Sequence, residues 1–331
     1  MTTLVSIIMT VKNEASYIGD CLESIIAQSY HNWEVLIVDD HSTDDTANII
    51  ESYVIQDDRI RKVYSNGKGI IEGLRGAYAS SKGEMITRMD GDDLMRPDKI
   101  ALLVDEVRRQ GKGSVAVGCV EYFSDTDLGD GFKRYAIWLN DLTKASVNYQ
   151  EIYKECVIPS ACWMMYRSDF EDCGGFNLNT YPEDYDLAFR MRKNKLRICG
   201  IDSKIHLWRD HPKRSSRNDI NYADNKFLDL KLLHFLDQDY KSIYPTIVWG
   251  AGKKGKALAA TLLKKDHNFR WITGNPHKAC KEIYGVQLEP ESQLATLNKS
   301  QVIIMISSPE DQEYLFQKKE SHPQHTYYHW T

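Results

Sequence analysis

The sequence predicts an α/β protein: an open, largely parallel sheet flanked by helices, followed by a second, smaller α/β domain. Three observations carry this expectation. Short β-branched apolar runs, LVSIIMTV and EVLIVDD, each give way to a polar loop and then to apolar residues at helical spacing. Acidic residues cluster in the loops that follow such runs, at Asp39-Asp40 and at Asp90-Gly91-Asp92-Asp93. Near residue 246 the pattern restarts, with TIVW leading into Gly250, Gly252 and Gly255.

LVSIIMTV, ended by Lys12, Asn13 and Glu14, has the unbroken apolar character of a parallel strand covered on both faces. Ile18, Leu22, Ile25 and Ile26 then recur as one helical face. A strand to Val38, an acidic loop and a helix from about Thr43, with Ile49 and Ile50 on its apolar side, complete a βαβ unit. GEMITRM is a further strand. Pro97 suits the first turn of a helix whose apolar face is Ile100, Leu103, Val104 and Val107. SVAVGCVEYF is the next strand, and Asp125 to Tyr153 is less regular and rich in Tyr and Trp. The run from Asn221 to Gln238 has Leu228, Leu232, Phe235 and Leu236 at helical spacing and serves as a connector. Beyond it, FRWIT and SQVIIMISS are strands of the small domain. The expected division is 1–217, a helical connector at 218–243, and 244–331.

Composition narrows the function classes. The chain has 331 residues, 42% of them hydrophobic, enough for two cores. Its net charge is -5 and its Lys and Arg residues are interspersed with acids, which argues against a nucleic-acid-binding face. Seven cysteines without a CxxC pair speak against a disulfide framework or a zinc site and fit a reducing cytoplasm. No apolar run approaches about 18 residues, so the only membrane role expected is peripheral association at the inner face.

The acidic loops carry the chemistry. A divalent cation such as Mn²⁺ or Mg²⁺ binds oxygen ligands, commonly one or two carboxylates plus substrate phosphates. Asp90, Asp92 and Asp93 supply such oxygens, and Gly91 lets the backbone turn so that they converge. The same residues also suit an Asp-rich turn ahead of the helix near Pro97, and residue types alone leave both readings open. In an open α/β sheet, ligands bind outside the carboxyl ends of the strands, which would place Asp39, Asp40 and the DGDD stretch on one crevice.

The order VSIIMTVKNE, VLIVDDHSTDDT, NGKGIIEGLRGAYASSKGEMITRMDGDD and CGGFNLNTYPEDYDLAFRMR resembles the family 2 glycosyltransferases, inverting nucleotide-sugar enzymes with the GT-A fold. The similarity runs from about Leu4 to Arg217. It implies that Thr10, Val11, Asn13 and Glu14, with Asp39, Asp40 and Arg75, line the nucleotide pocket, Asp39 facing a uracil. Asp90, Gly91, Asp92 and Asp93 would stand at the family's DxD position, holding ribose and a metal-bound diphosphate. Glu183 and Asp184 match the ED pair, with Asp184 as the base that takes the acceptor's proton. In HLWRDHPKRSSRN, Trp208, Arg209, His211 and Ser215 match the segment after the catalytic pair. There His211 would join Asp92 and Asp93 as metal ligands, and Arg209, Lys213 and Arg214 would neutralise the departing diphosphate. The chain departs from the pattern at Thr10 and Lys12, where Pro and an aromatic are common, and at Arg75, where an Asn is frequent before the DxD strand; these bear on the donor base and sugar. With no QxxRW-like motif, a processive synthase is not expected.

The implied activity is transfer from a nucleotide-sugar, a UDP-sugar by the Asp39 match, to a hydroxyl of a glycan or lipid-linked acceptor in bacterial surface polysaccharide synthesis. Two other classes use similar acidic crevices. A nucleotidyltransferase would carry a Gly- and Lys/Arg-rich phosphate loop, which SIIMTVKNEASY lacks; a non-catalytic nucleotide-binding assembly protein would use the second domain as its interaction surface. That domain resembles the small Rossmann-like domains found beside sugar-modifying enzymes, with Gly250, Gly252 and Gly255 as its GxGxxG. The position after its second strand, WITGNPHK, lacks the ribose-binding acid. The sequence therefore favours a packing turn or an altered ligand over NAD, and a role in oligomerisation or protein contacts.

Overall fold

The structure is a computed structural model that describes residues 2–124, 128–212, 214, 227–308 and 311–331. Lys213, Ser215, Arg217, the expected boundary at 217/218 and the first residues of the expected connector helix lie outside the described residues. The chain forms two compact units, residues 1–150 with 156–218, and residues 151–155 with 219–331.

The first unit opens with β1 (Val5–Val11), α1 (Ile18–Ile26), β2 (Trp33–Asp39), α2 (Thr46–Gln56), β3 (Ile60–Val63), α3 (Ile70–Ala79) and β4 (Met85–Arg88). It continues with β5 (Leu94–Met95), α4 (Lys99–Gln110), β6 (Ser114–Phe123), α5 (Asp130–Ala145), β7 (Trp163–Tyr166), α6 (Arg167–Asp172), α7 (Glu183–Lys193) and β8 (Arg197–Arg209). The strands lie in the order β3-β2-β1-β4-β7-β6-β8-β5. β3, β2, β1 and β4 are parallel, and β7 runs antiparallel to both β4 and β6. Val5, Ile7, Ile8 and Met9 of β1 are all fully buried, as a parallel strand covered on both faces requires.

Pairing register positions the site. β1 pairs with β2 from Val5↔Trp33 to Val11↔Asp39, so the two strands end level. The ladder runs one step further where Asp40 N–H donates to the Val11 carbonyl (2.8 Å) and Met89 N–H to the Ile8 carbonyl (3.1 Å). The loops after β1, β2 and β4 therefore open at one edge of the sheet, the place where α/β sheets bind ligands.

Several local readings change. α2 begins at Thr46, not near Thr43, because side chains hold the intervening loop: Thr43 N–H donates to Asn13 Oδ1, and Asp44 accepts from Thr46 N–H and Ala15 N–H. Pro97 sits just outside α4, where its carbonyl accepts Ser29 N–H. The helix itself buries Ile100, Leu103, Val104 and Val107 as expected and ends at Gly111, whose φ of 74° a glycine adopts without strain. The stretch expected to be irregular contains the 16-residue α5. Its aromatics hid a helical face: Tyr135 stacks on Trp208 of β8, while Ala136, Leu139 and Thr143 are buried. The segment around His206 forms the end of β8, paired with β6 at Val120↔His206 and Tyr122↔Trp208.

The second unit contains α8 (Phe227–Gln238), β9 (Thr246–Trp249), α9 (Lys253–Lys264), β10 (Arg270–Thr273), β11 (Glu282–Ile283), β12 (Val286–Pro290), β13 (Gln301–Ile304), α10 (Gln312–Ser321) and β14 (Thr326–His329). Its sheet order is β11-β12-β10-β9-β13-β14, parallel except for the β11–β12 hairpin. Ile247, Trp249, Ile272, Val302 and Ile304 form its core. The expected connector helix packs within this unit, with Phe235 against Tyr153, Tyr328 and Trp330. Among the described residues no helix is long and apolar enough to cross a membrane.

The two faces of α5 give a direct check. Leu139 is fully buried and Ile137 is 62% exposed. Leu139→Ala should lower the stability of the first unit by about 2–5 kcal/mol in urea unfolding, and Ile137→Ala by no more than about 0.5 kcal/mol.

Candidate active site

A charged residue at the end of a buried strand must be paired, and Arg88 at the end of β4 is paired twice. Its Nη1 donates to Glu183 Oε1 at 2.6 Å, and its Nε and Nη2 donate to Asp90 Oδ1 at 3.2 and 2.9 Å. Ser160 Oγ donates to the other Asp90 oxygen at 2.9 Å. Burial alone would raise the Asp90 carboxyl, but Arg88 and Ser160 hold it below its usual range. Arg88 thus joins the DGDD turn to the first turn of α7, two segments far apart in the chain.

Gly91 has a packing role rather than a conformational one. It does not adopt a positive φ. A Cβ there would come within 2.6 Å of Val11 Cγ1, so the glycine lets the turn close onto β1. That closeness brings Glu14, Asp92 and His211 together, their ligand atoms all within 4.8 Å of one another. His211 Nε2 lies 3.0 Å from Asp92 Oδ2, its ring packs on Tyr17 at 4.5 Å, and its Nδ1 is buried without a hydrogen-bond partner among the described residues. Burial, then the charges of Asp92, Asp90, Asp93 and Asp44, push the Glu14 carboxyl up to about 8. Burial and Asp93 push Asp92 up to about 6. Carboxyls so crowded with like charge are relieved by a cation.

Asp93, expected as a metal ligand, is not in that cluster. It is fully buried, with Oδ2 accepting from His206 Nε2 at 3.0 Å and Oδ1 accepting from Arg209 N–H at 2.8 Å. Behind His206 stands Lys99, also fully buried, whose Nζ donates to His206 Nδ1 at 2.9 Å and to the Ala161 carbonyl at 2.6 Å. An ammonium on Nδ1 requires the imidazole proton on Nε2, where it serves Asp93. Burial and Lys99 together keep His206 well below its usual range, hence neutral. Arg209 is likewise committed: Nε donates to the Asp92 carbonyl at 2.9 Å and Nη2 to Asp20 at 3.0 Å, with Tyr17 and Phe123 rings beside it. Arg214 lies over Tyr122 and Trp208, and its charge acts on Asp93, Asp92 and Asp90.

The remaining expected residues divide similarly. Asp39 Oδ1 accepts from Ser42. Asp40 is buried, accepts Gly69 N–H at 2.9 Å and lies 3.5 Å from Lys12 Nζ, so it ties the loop ahead of α3 to β2. Asn13 faces Ser42 and Thr43. Thr10 Oγ1 is buried without a hydrogen-bond partner among the described residues, beside Gly73, where a Cβ would collide with it. Arg75 does not face the crevice chemistry: Nε and Nη2 donate to the carbonyls of Phe176 and Asn177 and to Asn179 Oδ1, bracing the loop that leads to Glu183. Asp184 is partly exposed, accepts Tyr185 N–H at 2.7 Å, and is pushed up to about 7 by burial and by Glu183. α7 carries Glu183, Asp184 and Asp186 in its first turn and Arg190, Arg192 and Lys193 in its last, which complements the helix dipole.

Sequence reasoning missed Arg88, Lys99, Ser160, Tyr17 and His206. Two of them had a signal: Arg88 ends an otherwise apolar strand, and Lys99 lies four residues before Leu103 on the apolar face of α4. His206 had none, since only β8 pairing buries it.

The model for glycosyl transferase family 2 matches residues 6–174, about half of the chain, which belongs to that family. Glycosyltransferase GlyG of Streptococcus pneumoniae serotype 4 is 30% identical over 128 residues, 38% of this chain and 42% of that protein, so the chain spans less than half of that relative's length. Among solved structures, S. aureus TarS 1-349 in complex with UDP-GlcNAc has a TM-score of 0.54 at 16% identity, covering 79% of this chain and 72% of that one. Mannosyltransferase PcManGT from Pyrobaculum calidifontis, in complex with GDP-Man and Mn²⁺, has a TM-score of 0.54 at 20% identity, covering 73% and 66%. At these identities the likeness is one of fold, and it agrees with the GT-A architecture.

Removing the guanidinium would leave the buried Glu183 and the half-buried Asp90 without a cation. Arg88→Gln is expected to cost about 3–5 kcal/mol of stability, read as a lowered midpoint in urea unfolding.

Proposed function

We propose that the chain is an inverting glycosyltransferase that moves a sugar from a nucleotide-sugar, most simply a UDP-sugar, to a hydroxyl of a glycan or lipid-linked acceptor. The observation that supports this reading above others is that Arg88 ties the DGDD turn, which carries Asp92 of the crowded Glu14–Asp92–His211 cluster, to the turn carrying Asp184. Surface polysaccharide synthesis is the setting the family resemblance implies.

Asp184 acts as the base. A carboxylate near pKa 7 takes a hydroxyl proton far more readily than an ordinary one, and the acid so formed is stable at neutral pH. The acceptor oxygen forms its bond to the anomeric carbon as the bond from that carbon to the diphosphate oxygen breaks, with inversion; the proton goes to Asp184 and the electron pair to the leaving nucleoside diphosphate. Glu183, held by Arg88, sets the start of α7 and raises Asp184 by its charge. Asn13, Glu14 and Asp39 shape the base-side loops, and Thr10 offers its unpartnered hydroxyl to the donor.

Glu14, Asp92 and His211 fit a divalent cation, and the imidazole favours Mn²⁺ over Mg²⁺, which prefers oxygen ligands throughout. When bound, such an ion supplies charge stabilisation to the leaving diphosphate. Arg214 lies near enough to Asp92 and Asp93 to add to that field. Asp93 keeps a supporting role, orienting the turn through His206 and Arg209.

Asp184→Asn should lower kcat by about 10²–10⁴-fold while UDP binding, followed by calorimetry, is retained. Transfer at the original rate would remove Asp184 from the mechanism. Metal binding has a pH signature. Because Glu14 is raised from 4.5 to about 8, its protonated form favours the folded state at low pH, and that contribution is lost as pH rises toward 8. A cation then takes the proton's place, so Mn²⁺ should raise Tm more at about pH 8 than at about pH 6, and Asp92→Asn should shrink the shift at both. An equal shift at the two pH values would separate the cation from this cluster.

A further inference from the structure

The second unit contains a small cavity of ≈ 180 Å³ that none of Gly250, Gly252 and Gly255 lines. Its walls come from residues 151–155, α8, α9 and the chain's last residues, all of that unit. The charged groups that line it are Lys154, Lys231 and Lys254, with Glu155 as the one acid among the described residues.

Lys231, on α8, is 6% exposed, and a lysine is almost never buried so completely without a counter-charge. Its Nζ donates to the carbonyls of Lys154 at 2.9 Å and Trp330 at 3.3 Å, and it forms no salt bridge among the described residues. Two carbonyls occupy two of its three protons and offset only part of a full charge. Glu155 favours that charge from a distance, whereas Lys254, half-buried in the first turn of α9, opposes it. Burial, with Lys254 adding to it, lowers the Lys231 ammonium to about 8. Lys254 itself has no hydrogen bond or ion pair among the described residues, while Lys154 lies 3.5 Å from Glu151.

Trp330 is an independent witness. It lines the same cavity, is 2% exposed, and its Nε1–H is buried without an acceptor among the described residues. An indole N–H is a donor only, so the partner it lacks is an acceptor. The ring stacks on Tyr153 at 5.5 Å and meets Phe235 edge-on at 5.9 Å, so the N–H cannot turn out to water without repacking. A water molecule would satisfy the indole but neither ammonium. An oxyanion satisfies all three, because several oxygens accept at once and its charge offsets the two lysines. The volume lies below the about 300 Å³ at which sites for larger organic ligands begin, which suits a group the size of phosphate.

We propose that this cavity binds a tetrahedral oxyanion, phosphate or sulfate, free or carried by a small ester, through Lys231, Lys254 and the Trp330 indole. No residue of the first unit takes part, so the site is independent of the transferase reading.

Calorimetry on the full chain, with chloride as the background salt, tests it. Sulfate and phosphate should both bind. A crevice built for a diphosphate in the first unit can also take an oxyanion, so variants assign the binding to this cavity. Lys231→Met, which keeps the apolar stem and removes the charge, should weaken it by about tenfold or more, and Lys254→Gln should weaken it as well. Circular dichroism checks that both variants fold. Sulfate keeps its charge as pH rises, so its affinity should fall between about pH 7 and about pH 9.5, as Lys231 passes its lowered value and loses its proton. Glycerol phosphate separates the two sources: weaker binding than phosphate identifies the free ion, and equal or tighter binding identifies the phosphate of an ester. Failure of both ions to bind the unaltered chain would overturn the site, as would undiminished affinity in folded Lys231→Met. Should that variant not fold, Lys254→Gln decides by the same criterion.

Discussion

The buried guanidinium of Arg88 is the constraint on which the site depends. A lone charge in that position would be prohibitively costly, so Asp90 and Glu183 have to stand beside it, and they come from segments separated by about half the first unit's length. Once they do, the DGDD turn and the first turn of α7 have little freedom relative to each other. Asp92 and Asp184, each next in line to a clamped acid or its glycine, inherit their positions from that pairing. The clamp also leaves the functional carboxyls with fewer cations than they need, because Arg88 is spent on the residues beside them.

The site is electrostatically lopsided for that reason. Glu14, Asp92, Asp93 and Asp184 are all raised, whereas Asp90 and Asp40, which have dedicated donors, are lowered. Asp93 is raised by complete burial although His206 and the Arg209 backbone serve it, whereas Glu14, Asp92 and Asp184 are the raised acids that keep some exposure.

A second brace runs behind the crevice from Lys99 through His206 to Asp93 and the Arg209 backbone. It fixes the opposite side of the DGDD turn and the end of β8, two residues before His211. Together the two braces hold Asp92 from both flanks, while Tyr17 supports His211 from α1's approach. Side chains braced from both flanks in this way are fixed by packing and hydrogen bonds rather than by the loops alone.

The sequence alone established the α/β class, most strands of both sheets, the apolar faces of α1 and α4, and the acidic loops that carry Asp39 and the DGDD stretch. Those features are written locally, in β-branched runs, helical spacing and loop chemistry. It mistook α5 for irregular chain because clustered aromatics masked the period, and it assigned Asp93, Arg75 and Arg209 to ligands when each is consumed by protein partners. It could not show that Glu14 stands beside Asp92 and His211. Only the tertiary structure decided these points, because whether a carboxylate is free or spent depends on which donors the fold brings within hydrogen-bond distance, and those donors lie far away along the chain.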